Sequence, residues 1–150
     1  MAPAAAASAA PLVLASHRAV YDISLIEAED GTDVSGVTGR LVLEFTGSEC
    51  AGYSSKLRFV TETEDADGER QLIDSRSETF ESADGQQLDF SNETYAGQML
   101  AEESEGKANR DGGDIAVALK RPDEKRFTIN DPVVFPTQQM ERIIASAIAG

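Results

Sequence analysis

The chain has 150 residues, with 13 Lys and Arg against 27 Asp and Glu, a net charge of −14. That length suits one domain, and a compact domain of this size buries roughly 68–70 % of its unfolded surface, enough for a core without metals or disulfides. A surface this negative argues against binding nucleic acid or an anionic leaflet by general electrostatics, while a 41 % hydrophobic content argues against a disordered chain.

Residues 1–15 start with Met-Ala-Pro and an Ala run broken by Ser8, then continue through Pro11 to Leu12-Val13-Leu14-Ala15. Such small residues fit either the processed end of a signal peptide, Met1 then being an added start residue, or an ordinary flexible N-terminus. From residue 16 onward the chain reads as one domain. Its hydrophobic period changes to two, the pattern of half-buried strands. Ala19, Tyr21, Ile23 and Leu25 share one side, and Val37, Leu41, Leu43 and Phe45 repeat the pattern. Leu57 with Phe59, Leu88 with Phe90, Ile115 with Val117 and Leu119, and Phe127 with Ile129 continue it. Between these runs stand Asp30-Gly31, Asp67-Gly68, Asp84-Gly85, Ala96-Gly97 and Asp111-Gly112-Gly113, each a turn former, and Pro122-Asp123 adds another. No helix-length segment interrupts the series, so the strands form one antiparallel meander. The stretch over residues 70–79 is polar on both sides, which fits an edge strand or a water-lined lumen.

A sheet this large with one apolar face must curl or be covered. The end of the chain supplies a cover. Pro136 or Thr137 starts a helix, and Met140, Ile143, Ile144, Ala147 and Ile148 recur at helical spacing, with Gly150 as the stop. The predicted fold is mainly β: a large antiparallel meander that curls, with a concave apolar face. The amphipathic helix would lie on the concave face through Met140, Ile143, Ile144 and Ile148.

Little in the sequence points to catalysis, and the chain reads as a non-enzyme without cofactor or metal. One His and one Cys cannot build a zinc site or an iron–sulfur cluster. His17 has no Gly-x-Ser-x-Gly partner and fits a structural His bonded to nearby backbone. Asp65-Ala66-Asp67-Gly68-Glu69 resembles part of a calcium loop but sits where a hairpin turn is expected. Asn92-Glu93-Thr94 matches a glycosylation acceptor, a pattern frequent by chance. Cys50 follows a strand, and Glu49 beside it disfavours the thiolate, so it reads as a disulfide half or a small apolar side chain. No apolar stretch approaches the roughly 20 residues of a membrane-spanning helix.

Four blocks in order carry a family resemblance. They are Ser16-His17-Arg18-Ala19-Val20-Tyr21-Asp22; Gly39-Arg40 with Glu44-Phe45-Thr46-Gly47-Ser48, Cys50 and Gly52-Tyr53; Arg58-Phe59-Val60-Thr61; and Phe135-Pro136-Thr137-Gln138-Gln139-Met140. From about residue 12 to the end the chain resembles the EipB-type cell-envelope integrity proteins, formerly a domain of unknown function. The resemblance implies an exported, periplasmic protein of alphaproteobacterial type, with an open spiralling β-barrel and a helix inside or across it. Family members are longer, and their Cys at the place of Cys50 pairs with a second Cys near the C-terminus. This chain holds no such partner, so the domain is expected to be incomplete relative to the family and to self-associate through an unpaired sheet edge.

Three functions compete. The first is a non-enzymatic scaffold or binding module for another envelope protein, a peptide or a lipid-like ligand. The second is a carrier of a small apolar ligand in a barrel-like cavity. The third is a hydrolase using surface carboxylates. The scaffold is the preferred reading, with His17, Arg18 and Tyr21 as an ordered strand entrance.

Overall fold

The computed structural model describes residues 13–29 and 31–150. Eight strands follow one another: β1 (His17–Ser24), β2 (Val34–Ser48), β3 (Gly52–Asp65), β4 (Arg70–Glu81), β5 (Gln87–Ala96), β6 (Met99–Asp111), β7 (Asp114–Arg121) and β8 (Lys125–Ile129). Helix α1 (Pro136–Ala149) ends the chain. The strands form one antiparallel sheet in sequence order, with β1 and β8 as its two edges, so the sheet is open rather than closed. Expectations for residues 1–12 lie outside the described residues.

The register sorts side chains by chemistry. Residues directly opposite share a face, and the face alternates along each strand. One row runs His17, Phe45, Ser55, Thr79, Phe90, Gly106, Leu119 and Lys125. The face holding this row, the inner face, also carries Leu41, Leu43, Leu57, Phe59, Ile115 and Val117. The opposite, outer face carries the ion pairs, among them Arg18–Glu44, Arg40–Asp22, Lys56–Glu78 and Lys107–Asp89. On the inner face of β2 to β5 the charged side chains are Glu81 and, at the turn end of β3, Asp65. A chain that is 27 % charged has sorted most of its strand charges to one side.

Two buried clusters sit at one end of the inner face, and the C-terminal segment joins them. Phe135 packs with Ala108, Ile115 and Val117, flanked by Leu88, Phe90, Leu119 and Ile129. Met140 and Ile144 pack against Leu14, Phe45 and Tyr53. Five to nine residues of helix span about 8–14 Å, whereas four strand spacings of a flat sheet span about 19 Å. Contacting both clusters therefore fits a curled sheet, as expected for a meander this large with one apolar face and as the family resemblance implies.

The helix covers less than its sequence predicts. Ile143 is 61 % and Ile148 74 % exposed, so of the four expected contacts only Met140 and Ile144 pack on the sheet. Ile143 is rotated about 80° from the middle of the packed side, and Ile148 lies a full turn beyond Ile144. For residues 70–79 the edge alternative does not hold. They belong to β4, which is paired on both sides by β3 and β5 and is not an edge. Its double polarity comes from outward charges (Asp74, Arg76, Glu78) and hydroxyls on the concave inner face (Ser75, Ser77, Thr79), the arrangement that the lumen alternative describes. β6 lacks an apolar alternation because small and polar Ser104, Gly106 and Ala108 occupy its inner positions. A Cβ at Gly106 would come within 2.6 Å of Ala118 O and 2.9 Å of the Phe90 ring.

A buried carboxylate fixes the start of the helix. Phe135 is the N-cap residue and contributes no side-chain cap, Pro136 follows it, and Thr137 is buried. Glu81, only 4 % exposed, ends β4 and accepts the Thr137 N–H at Oε2, 2.8 Å. It thereby serves an orphan amide and places negative charge at the positive end of the helix dipole. Glu81→Ala is expected to cost about 2 kcal/mol, lowering Tm by roughly 4–8 °C. Glu81→Gln, which keeps an acceptor, should recover about half of that loss, and thermal melts followed by circular dichroism check both values.

Candidate functional site

The candidate site is the inner face beyond the two clusters, uncharged except at its far margin, where Asp65 ends β3 and Glu102 stands opposite Thr94. On β2 and β3 it presents half-buried Leu41, Leu43, Leu57 and Phe59. On β4 to β6 it presents Ser75, Ser77, Thr79, Asn92, Thr94 and Ser104. The Ser75 and Thr94 hydroxyls lie 3.4 Å apart, and Asn92 Nδ2 donates to Ser104 Oγ at 3.1 Å. An apolar half thus adjoins a hydroxyl and amide half. The Tyr53 hydroxyl is buried at the helix-covered end with no hydrogen-bond partner among the described residues.

Arg110 closes that end. Its Nε donates to Gly85 O at 3.0 Å and its Nη2 to Gln138 Oε1 at 2.8 Å. Its guanidinium also lies 4.6 Å from the Phe135 ring centre, a cation–π contact. One side chain therefore ties the end of β6 to the β4–β5 turn and to the helix. Gly85 is required there, because it has φ +63° and a Cβ would overlap Gln138 Nε2.

The residues nominated from sequence lie apart from this closure. His17 is exposed, with Nδ1 2.8 Å from Ala15 O and its ring 5.7 Å from that of Phe45. Arg18 points outward, its Nε donating to Glu44 Oε1 at 3.1 Å. Tyr21 is on the inner face but 57 % exposed, because β1 is an edge. Cys50 is an exposed free thiol in the β2–β3 turn. The 65–69 segment is a hairpin turn, with Asp65 Oδ1 accepting the N–H groups of Asp67 and Glu69. No group of three or more His, Cys, Asp or Glu arranged to hold a metal occurs among the described residues.

Comparison with known proteins follows the same outline. The EipB-like family model matches residues 7–150. The chain belongs to the EipB-like family. It is 40 % identical over 148 residues to the "Cell envelope integrity protein EipB" of Brucella abortus (strain 2308), covering 98 % of this chain and 52 % of that protein. A crystal structure titled as a beta-barrel-like protein of domain of unknown function DUF1849 from Brucella abortus superposes with a TM-score of 0.86 at 39 % identity. The match covers 91 % of this chain and 56 % of that one, so the chain spans about half the length of the relatives it matches.

In this EipB-like chain the outer face holds its charges in a cross-strand lattice. Its centre is Asp74, a residue that sequence reasoning passed over. Arg58 and Arg76 stand directly opposite each other on β3 and β4, an unfavourable like-charge pairing. Asp74, 7 % exposed, resolves it by accepting from Arg58 Nε and Nη2 at 3.0 and 2.8 Å and from Arg76 Nη2 at 2.8 Å. The hydrogen bonds from Arg58 and then Arg76 hold its carboxyl at about 2, below the usual 3.8. Because the folded value is depressed, this stability is present above pH ~4 and is lost as pH falls from there toward 2. Asp74→Asn should lose on the order of 1–2 kcal/mol at neutral pH, the partly exposed guanidiniums being screened, and should flatten the acid limb between pH ~4 and 2. Urea unfolding at a series of pH values measures both effects.

Proposed function

We propose that this chain is a non-enzymatic periplasmic component supporting cell-envelope integrity, and that it works as a binding or scaffolding module through its inner face. Membership of the EipB-like family and the name of the Brucella abortus relative support the envelope role. The observation that carries the mechanism is the segregation of charge: a strip of Leu41, Leu43, Leu57 and Phe59 beside Ser75, Ser77 and Thr94, in an open sheet that the helix covers at one end. A surface that is apolar on one side and hydroxyl-rich on the other suits an extended, partly apolar partner such as a peptide segment of another envelope protein.

The carrier reading has weaker support. A cleft of about 460 Å³ is lined by Lys56, Glu78, Phe80, Asp89, Lys107 and Lys120, a charged outer-face setting rather than an apolar pocket. The hydrolase reading also has weaker support, because Glu81, the buried acid of the inner face, is already engaged at the helix start.

Deleting the gene from its own host and scoring growth in bile-salt detergent and cell-wall antibiotics tests this role. The deletion strain should become sensitive. The wild-type gene and the outer-face variant Lys56→Gln should restore growth, whereas inner-face Leu41→Lys, shown to be folded by circular dichroism, should not. Equal rescue by both variants would refute the inner face as the working surface, and an insensitive deletion strain would refute the envelope role itself.

A further inference from the structure

The two edges of the sheet differ. β8 has five residues and begins Lys125-Arg126, charges that guard an edge against pairing. β1 has eight residues without Pro or bulge, and it exposes Val20 at 45 % and Tyr21 at 57 %. Its free backbone groups are set by the ladder. The Leu25 N–H donates to Val37 O at 2.9 Å, continuing the register of Ser24 with Thr38. Odd-numbered Ala19, Tyr21, Ile23 and Leu25 therefore turn their N–H and C=O groups toward β2, while Arg18, Val20 and Asp22 turn theirs to the open side.

We propose that β1 is the seam of a two-fold symmetric dimer, pairing antiparallel with β1 of a second copy so that Val20 faces its own counterpart. Only even-numbered residues can form the hydrogen-bonded pairs across this edge, odd-numbered ones standing opposite each other between them, which leaves few central registers. Centring on Arg18 or Asp22 would stack like charges, and centring on Ala19 or Tyr21 leaves Arg18 and Asp22 opposite uncharged residues. Centring on Val20 sets Arg18 opposite the second copy's Asp22 in both symmetry-related rows. On the outer face each of these rows then reads Glu44, Arg18, Asp22, Arg40, alternating in sign from the β2 of one copy to that of the other. The row between them reads Val42, Val20, Val20, Val42, all β-branched. On the inner face Ala19 meets Tyr21, small against large, and the edge's two exposed apolar side chains gain cover. The net charge of −14 per chain opposes association, so the dimer should strengthen as salt screens it.

Sedimentation equilibrium of the full chain, with reductant present to keep Cys50 a thiol, tests the seam. The wild type should move with concentration from one chain mass to two. Arg18→Glu and Asp22→Arg each put like charges in both rows and should weaken the dimer roughly tenfold. An equimolar mixture of these two variants restores opposite charges in both rows and should associate at least tenfold more tightly than either alone. Val20→Pro removes an N–H that β2 does not use, so it should abolish the dimer while leaving the circular dichroism spectrum unchanged. A wild type that stays monomeric at every concentration and salt level, a dimer that survives Val20→Pro, or a mixture no tighter than its components would each overturn the proposal.

Discussion

The attachment of the C-terminal segment to one end of the sheet is the constraint on which the rest depends. An eight-stranded antiparallel sheet with one apolar face has no intrinsic reason to stop curling at a given radius. Here Phe135 is committed to the β6–β7 cluster and Met140 with Ile144 to the β2–β3 cluster, so the helix sets how far apart those strands stand. Glu81 and Arg110 fix its orientation with charge-assisted bonds, the Glu81 bond buried and the Arg110 bonds to Gly85 and Gln138 partly buried, where such bonds gain strength. Among the described residues Arg110 bonds only neutral oxygens, carbonyls and an amide, and its charge also faces the Phe135 ring.

Segregation of charge follows from the same architecture. Inner positions near the covered end tolerate ions only where they serve the helix, as Glu81 and Arg110 do. The outer face carries Arg18, Arg40, Lys56, Arg58, Arg70, Arg76, Lys107, Lys120 and Arg121, all in ion pairs. Exposed pairs contribute little singly. Their main physical effect is on register, since a one-residue slip of any strand would carry its charges to the apolar side. This leaves an uncharged, partly open strip as the surface that differs most from ordinary solvated protein. On that strip the proposed binding role rests.

Strand periodicity made the meander and its turns legible, because Leu41, Leu43 and Phe45 or Ile115, Val117 and Leu119 alternate with polar neighbours. β4 and β6 were less legible for a shared reason. Their inner positions hold Ser75, Ser77, Ser104 and Gly106, so period two carries no hydrophobic contrast, and the polarity of β4 imitates an edge. The helix was visible from its spacing, but how much of it packs was not. Periodicity marks an apolar face, while the depth of the partner surface decides whether Ile143 and Ile148 are covered. Glu81, Arg110 and Asp74 had no local signature. Each acts on residues brought near by register, Thr137 lying 56 positions from Glu81, and in a chain with 27 acids a single functional carboxylate does not stand out.

Amide hydrogen exchange at Thr137, read by NMR at neutral pH, tests the central claim most directly. If the helix start is clamped by Glu81, this amide should be protected to the same degree as the β3–β4 ladder amides and open only with them, although no intrahelical acceptor is available to it. Exchange at the rate of an unstructured peptide, with the ladder still protected, would show that the segment is not fastened and that the curl of the sheet has another cause.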